Sequence, residues 1–199
     1  MVIRMQSQNG INMVADIINK GSVGVIPTDT VYGVCAKASN VDAVTRMYKL
    51  KKRENKPGTL IAESIDQLVS LGIRKRYLTA VKDYWPGAIS VILPVDDSLN
   101  YLHQGKQSLA VRIPNDNNLI SLLIKTGPLI TSSANLPGKK PAVNIKEAKK
   151  YFNDNVDFYL DGGDINNKPS TVIRIIDDAV VILREGSVKI NEHTGRIIG

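Results

Sequence analysis

Residues 88–133, AISVILPVDDSLNYLHQGKQSLAVRIPNDNNLISLLIKTGPLITSS, carry the pattern on which the fold turns. AISVILP (88–94) and LAVRI (109–113) are apolar enough for central strands. The polar DDSLNYLHQGKQ between them predicts an exposed loop, with His103 solvated on it. DNNLISLLIK (116–125) has helical spacing, Gly127-Pro128 breaks the helix, and LITSS (129–133) returns to strand. Strands and helix alternating in this way predict a sheet with helices on its faces.

The same alternation extends in both directions. Upstream, Ile11, Val14, Ile17 and Ile18 share one face of a helix that stops at Gly21, and VGVIP (23–27) is a short buried strand. Asn40 can cap a helix running to about Leu50, with Ala43, Val44, Met47 and Leu50 inward. TLIA (59–62) is a strand, Ser64 caps a short helix to Leu71, and a basic helical stretch near Arg74–Tyr84 enters the turn Trp85-Pro86-Gly87. Downstream, Asn144 opens a helix to about Phe152, and FYL (158–160), STVIRII (170–176) and VVILRE (180–185) are the last strands. With no internal repeat and no long Pro/Gly/Ser linker, the expectation is one α/β domain over residues 1–199. Its core covers about 10–186, its tail 187–199, and its sheet is twisted, mixed and largely open.

Composition narrows the function classes. The 199 residues include 26 Lys plus Arg and 19 Asp plus Glu, a net charge of +7. With 43% hydrophobic and 23% charged residues the chain is globular rather than disordered. Aromatics at 5% argue against a base-stacking RNA-binding sheet, which groups aromatics on adjacent strands. Cys35 stands alone, which excludes an internal disulfide and multi-cysteine metal sites. It reads as a small core residue. His103 and His193 lack metal-ligand spacing, so no metal site is expected. No apolar run approaches the roughly 20 residues of a bilayer span. MVIRMQSQNG has no signal-peptide core. These features predict a soluble, cytoplasmic protein whose positive charge favours anionic partners such as nucleotides or RNA.

Three polar segments follow strands, at the carboxyl ends where open α/β sheets bind ligands. Pro27-Thr28-Asp29-Thr30-Val31-Tyr32-Gly33 offers hydroxyls, a carboxylate and a phenol. Such groups can orient a small polar substrate, or equally satisfy a turn of their own backbone. Lys49-Leu50-Lys51-Lys52-Arg53-Glu54-Asn55-Lys56 places cations at a helix C-terminus, suited to polyphosphate or to a solvated helix end. It is not a Walker loop. Thr131-Ser132-Ser133-Ala134-Asn135 presents hydroxyls and backbone N–H groups that suit a phosphate, a carboxylate or a plain turn. Arg112 inside SLAVRIP and Arg184 ending VVILRE are charges on apolar strands, which need partners. For Arg112 the partner is Asp29 or a ligand carboxylate or phosphate.

Taken together, PTDTVYG, the K-x-R of Lys51-Lys52-Arg53, SLAVRIP, the SAN-x-x-G of Ser133 to Gly138, and PSTVIR with LREG resemble the YrdC/TsaC family of L-threonylcarbamoyladenylate synthases. The resemblance spans about Gly21 to Arg184. It implies a YrdC-like fold with a basic concave cleft, and an enzyme, a nucleotidyltransferase. The implied reaction combines L-threonine, bicarbonate or CO2, and ATP into threonylcarbamoyl-AMP and pyrophosphate. The product serves threonylcarbamoyladenosine modification of tRNA beside the anticodon. By carry-over, Lys51 and Arg53 act in catalysis. Thr30, Arg112, Ser133 and Ser170 bind L-threonine, and Arg53, Lys56, Ser108, Asn135 and Arg184 bind ATP. Gly58 stands after Pro57 where the family pattern has an apolar residue.

That chemistry needs no nucleophilic side chain, since bringing two anions together depends on positioning and charge neutralisation. Mg2+ is expected to accompany ATP, and the expected partners are downstream threonylcarbamoyl-transferase proteins and tRNA or double-stranded RNA, with no membrane. The competing reading is a non-catalytic module for double-stranded or structured RNA, motivated by Arg74-Lys75-Arg76 and Lys139-Lys140. A carbamoyl-handling domain of the hydrogenase-maturation type ranks below it, because such domains sit in longer chains with zinc-finger cysteines.

Overall fold

The computed structural model describes residues 1–5, 8–52, 55–177 and 179–198. Ten strands form one mixed sheet in the order β1-β8-β2-β3-β7-β4-β6-β5-β9-β10. In chain order these are β1 Val2–Arg4, β2 Gly24–Ile26, β3 Gly33–Lys37, β4 Thr59–Ile61 and β5 Ile89–Pro94. They continue with β6 Ser108–Arg112, β7 Leu129–Ser133, β8 Phe158–Asp161, β9 Thr171–Ile176 and β10 Ala179–Arg184. β1, β8 and β2 run parallel, as do β4 with β6 and β5 with β9, and the other neighbours are antiparallel. β3 is an addition to the sequence reading, which took Gly33 only as the end of a polar loop.

The helices are α1 Gln8–Asn19, α2 Val41–Leu50, α3 Ile65–Leu71, α4 Lys75–Ala80, α5 Asn100–His103, α6 Asn117–Thr126 and α7 Ile145–Phe152. Asn40, Ser64, Asp116 and Asn144 each accept a backbone N–H of the first helical turn that the helix itself leaves unpaired.

Two cores flank the sheet. The larger contains Val34, Leu60, Val111, Ile130 and Ile173 with α2 and α7. The smaller packs Cys35, Ile61 and Leu129 against Val14 and Ile18 of α1 and Leu119, Leu122 and Leu123 of α6. Paired residues of adjacent strands share a face. The register Cys35↔Thr131, Thr59↔Thr131, Thr59↔Ala110 and Ile92↔Ala110 therefore carries the small-core face onward into residues the two helices do not cover. That uncovered part of the face is where the site lies.

Two sequence expectations change. The segment 96–107 is not an exposed loop but a short 3-10 turn, Asp97–Leu99, followed by α5. Leu99 and Leu102, one turn apart, are buried, and His103 is fully buried instead of solvated. Its Nδ1 accepts the Gln107 N–H at 3.1 Å, which fixes the turn leading into β6. The C-terminal segment also packs back. β11 Lys189–Ile190 pairs with β12 Ile197–Ile198, Ile190 is buried, and Tyr84 Oη donates to the Gly195 carbonyl at 2.9 Å.

Candidate active site

A small open cleft of about 90 Å³ lies on the uncovered sheet face. Thr30, Arg112, Ser133, Ser170 and Arg184, five of the residues named from sequence, border it together. They come from five places in the chain: the turn after β2, the ends of β6 and β7, the residue before β9, and the end of β10. Thr59 and Thr131, within β4 and β7, also border it; Thr131 opens one of the polar segments read from sequence, whereas Thr59 was not singled out. Their signal was a threonine in each of two apolar strands, but only the register that sets Thr59 against Thr131 brings them together. The sheet face thus forms the floor of the cleft, beside the strand ends and the strand arginines read from sequence.

The PTDTVYG segment divides its labour. Thr28 is the turn-former: its Oγ1 accepts the Thr30 and Val31 N–H groups at 3.2 Å each and donates to the Val31 carbonyl at 2.7 Å. The Oγ1 atoms of Thr28 and Thr30 are 3.0 Å apart, which holds the Thr30 hydroxyl at the cleft. Tyr32 is buried, and its Oη accepts the Gly162 N–H at 3.0 Å and donates to the Gly163 carbonyl at 2.7 Å. Burial, with the nearby Asp161 and Asp164 carboxylates, raises its ionisation above the ordinary tyrosine value, so it stays a phenol. It anchors the strand-to-strand segment that ends at Ser170.

Arg112 is 4% exposed, and its Nη1 lies 2.7 Å from Asp29 Oδ1. Of the two partners open to it in sequence, Asp29 is the one in place. Burial pulls the guanidinium below its ordinary ionisation range while the Asp29 carboxylate pushes it back, and the charged form persists in either case. Its Nε is buried without a hydrogen-bond partner among the described residues. On the opposite wall, Arg184 donates from Nε (3.2 Å) and Nη2 (2.7 Å) to the Ser170 carbonyl. Ser170 Oγ is 2.9 Å from Ser90 Oγ.

Lys51 does not present its charge to solvent. It is 3% exposed, and its Nζ donates to the Ser133 carbonyl at 2.5 Å and to the Asn135 carbonyl, 5.6 Å from the Phe152 ring centroid. Asn135 turns into its own loop, its Oδ1 accepting from Ser133 Oγ at 2.6 Å and its Nδ2 donating to the Lys139 carbonyl at 2.6 Å. Both residues shape the Ser133 loop and neither borders the cleft. Arg53, named for catalysis and ATP, lies outside the described residues, and Lys56 is exposed.

Ser108 borders a second hollow with Lys106, Ala110, Ile92 and Arg174. It shares Pro57 and Gly58 with the first, so the two hollows are neighbours. Arg174 was overlooked in sequence, although an arginine at an alternate position of STVIRII was the available signal. Cys35 is fully buried, and burial pushes its thiol up to about 12, which leaves it inert as a nucleophile. Among the described residues no group of three or more His, Cys, Asp or Glu could hold a metal ion, and no helix is long and apolar enough to cross a membrane.

The chain resembles proteins of known sequence and structure along nearly its whole length. It is 32% identical over 192 residues to threonylcarbamoyl-AMP synthase of Bacillus subtilis, covering 93% of this chain and 55% of that protein. It is 31% identical over 180 residues to threonylcarbamoyl-AMP synthase of Pseudoalteromonas translucida, covering 84% and 94%. The crystal structure of P. abyssi Sua5 complexed with L-threonine superposes with a TM-score of 0.85 at 27% identity, covering 96% of this chain and 58% of that one. The chain thus spans somewhat over half of the longer relatives and nearly all of a shorter one. The Sua5/YciO/YrdC family model, described as "Telomere recombination", matches residues 16–186, and the chain belongs to that family.

Proposed function

We propose that the chain synthesises L-threonylcarbamoyl-AMP from L-threonine, bicarbonate or CO2, and ATP, releasing pyrophosphate. The observation that carries this reading is Arg112: a buried guanidinium with an unpartnered Nε, beside a hydroxyl-lined cleft, in a chain whose relatives bear the name of that synthase. The threonine carboxylate sits on Arg112, with the hydroxyls of Thr30, Ser133 and Ser170 around the amino acid. The triphosphate and nucleoside extend from the cleft toward the neighbouring hollow at Ser108, held by Arg184, Lys56 and Arg53. Lys51 and Asn135 contribute by fixing the Ser133 loop.

The threonine amine adds to CO2 and loses a proton to give a carbamate. A carbamate oxygen attacks the α-phosphorus, the bond to the β-phosphate oxygen breaks, and pyrophosphate departs with the bonding pair. Both reactants are anionic, so the barrier is lowered by holding them in line and by cations placed where charge develops. Mg2+ would accompany the triphosphate and supply charge neutralisation there. Among the described residues no group of three or more His, Cys, Asp or Glu stands ready to hold it. The product is passed in the cytoplasm to transferase proteins that modify tRNA.

A pyrophosphate-release assay with each substrate omitted in turn tests the reading. Release that requires L-threonine, bicarbonate and ATP together supports it. Release without threonine, or RNA binding of steep salt dependence with no turnover, refutes it.

A further inference from the structure

Asp29 is a partly buried carboxylate to which the reaction above gives no part. Its Oδ1 takes Arg112 Nη1 at 2.7 Å, and its Oδ2 accepts the Asn115 N–H at 3.3 Å. It does not border the cleft that Arg112 borders, but faces a separate hollow with Met5, Pro27, Asn118 and Asp164. Asp29 therefore stands behind Arg112, tied to the chain that leaves β6. We infer that Asp29 is a positioning residue for substrate recognition. By engaging Nη1 it fixes the rotation of the guanidinium, so that the part of it bordering the cleft meets the amino-acid carboxylate in one orientation.

This inference rests on the threonine site proposed above and deepens it. Two N–H groups in a fixed fork recognise a carboxylate far better than a freely turning charge does. Asp29 also has an opposing effect, since its negative charge repels a second carboxylate at the same arginine. The two effects predict opposite signs when the charge is removed. If orientation dominates, loss of Asp29 weakens threonine binding, and if repulsion dominates, it tightens it.

The test is Asp29→Asn, followed by pyrophosphate release and by calorimetric binding of L-threonine, in the wild-type and Arg112→Gln backgrounds. The expected result is a rise in threonine KM of about tenfold or more, with kcat and the ATP KM changing by no more than about twofold. In the Arg112→Gln background, Asp29→Asn should add nothing, because Asp29 acts through Arg112. An unchanged or lowered threonine KM overturns the inference, as does an equal rise in the Arg112→Gln background. Asp29→Glu, which keeps the charge and shifts the carboxylate by one methylene, carries the same expectation if Asp29→Asn does not fold. Wild-type protein that neither binds nor requires L-threonine overturns the parent reading. Wild type that binds it no better than Asp29→Asn overturns this inference alone.

Discussion

Lys51→Met separates two roles that the sequence KLKKR leaves superimposed. A solvent-facing cation gripping phosphate would leave folding stability untouched when removed. The observed Lys51 is buried, with its ammonium on the carbonyls of Ser133 and Asn135, the loop that carries one wall of the cleft. A hydrogen bond to a charged group contributes about 1.5–3 kcal/mol net, and burying the ammonium costs part of that back. The variant should therefore lose about 2–4 kcal/mol, since methionine keeps the apolar stem but offers no donor. At about 2–4 °C per kcal/mol for a chain of this size, Tm falls by about 4–16 °C. Turnover falls as well, because a loop displaced by about 1 Å can cost on the order of 10²-fold in rate. Thermal unfolding by circular dichroism and pyrophosphate release on the same preparations measure both. Lys49→Ala, on an exposed position of the same helix, is the control. A Tm within about 1 °C of wild type would refute the structural role of Lys51, whatever the activity.

Three further outcomes follow from other parts of the molecule. Arg112→Lys replaces a planar fork with a point charge and should raise the threonine KM by about tenfold or more, and saturation with unchanged threonine dependence would exclude Arg112 from carboxylate binding. Gly58→Ala places a Cβ 2.4 Å from the Thr131 carbonyl oxygen, a backbone atom, so stability should fall by about 1–3 kcal/mol in urea unfolding, and a neutral effect would mean that β4 and β7 can separate freely. Asp157 is exposed, and its partial desolvation opposes its ionisation, but the hydrogen bond from Arg46, the Val23 N–H and the Arg46 and N-terminal charges outweigh this and hold its carboxyl below the ordinary value. Its stabilisation is then fully present above about pH 4 and is lost as pH falls through the depressed folded value, so Asp157→Asn should cost at most about 1 kcal/mol at neutral pH. That gap should close on acidification, and one independent of pH would show that the pair contributes nothing.

Local signals were legible where local chemistry decides the outcome. Asn40, Ser64 and Asn144 cap helices because a short side chain can reach the unpaired N–H groups of the first turn, whatever the rest of the fold does. The segment 96–107 was misjudged by its polarity: Asp96, Asp97, Gln104 and Lys106 obscured Leu99 and Leu102, which sit one turn apart and enter the core. β3 was missed because Gly33-Val-Cys-Ala-Lys37 shows no alternation. Hemmed between β2 and β7 and covered on both faces, it can afford small apolar residues throughout. Lys51 had a readable signal that its neighbours hid. It follows Met47 by four residues, so it continues the buried face of α2, whereas Lys49 and Lys52 point away from it.

The cleft itself was only half legible, because it depends on which strands become neighbours. Thr30 and Ser133 were read as polar groups after strands, Arg112 and Arg184 as charges on apolar strands, and Ser170 only from the family resemblance, and the five meet at one cleft. That the floor is a sheet face follows from α1 and α6 covering only the Cys35, Ile61 and Leu129 end of it, a fact of three-dimensional packing. The remaining face carries Thr59, Thr131, Ala110 and Ser108 in register, so small and hydroxylated side chains in otherwise apolar strands leave room above the sheet. Arg112 belongs to the same face: its partner Ile61 is buried in the small core, and the guanidinium lies at the boundary between core and cleft. A charge at such a boundary is held in place by Asp29 while the residue still borders the cleft. Sequence alone presented these as alternatives, internal salt bridge or ligand contact. The geometry makes them compatible, since the ion pair uses Nη1 and Arg112 nevertheless lines the cleft.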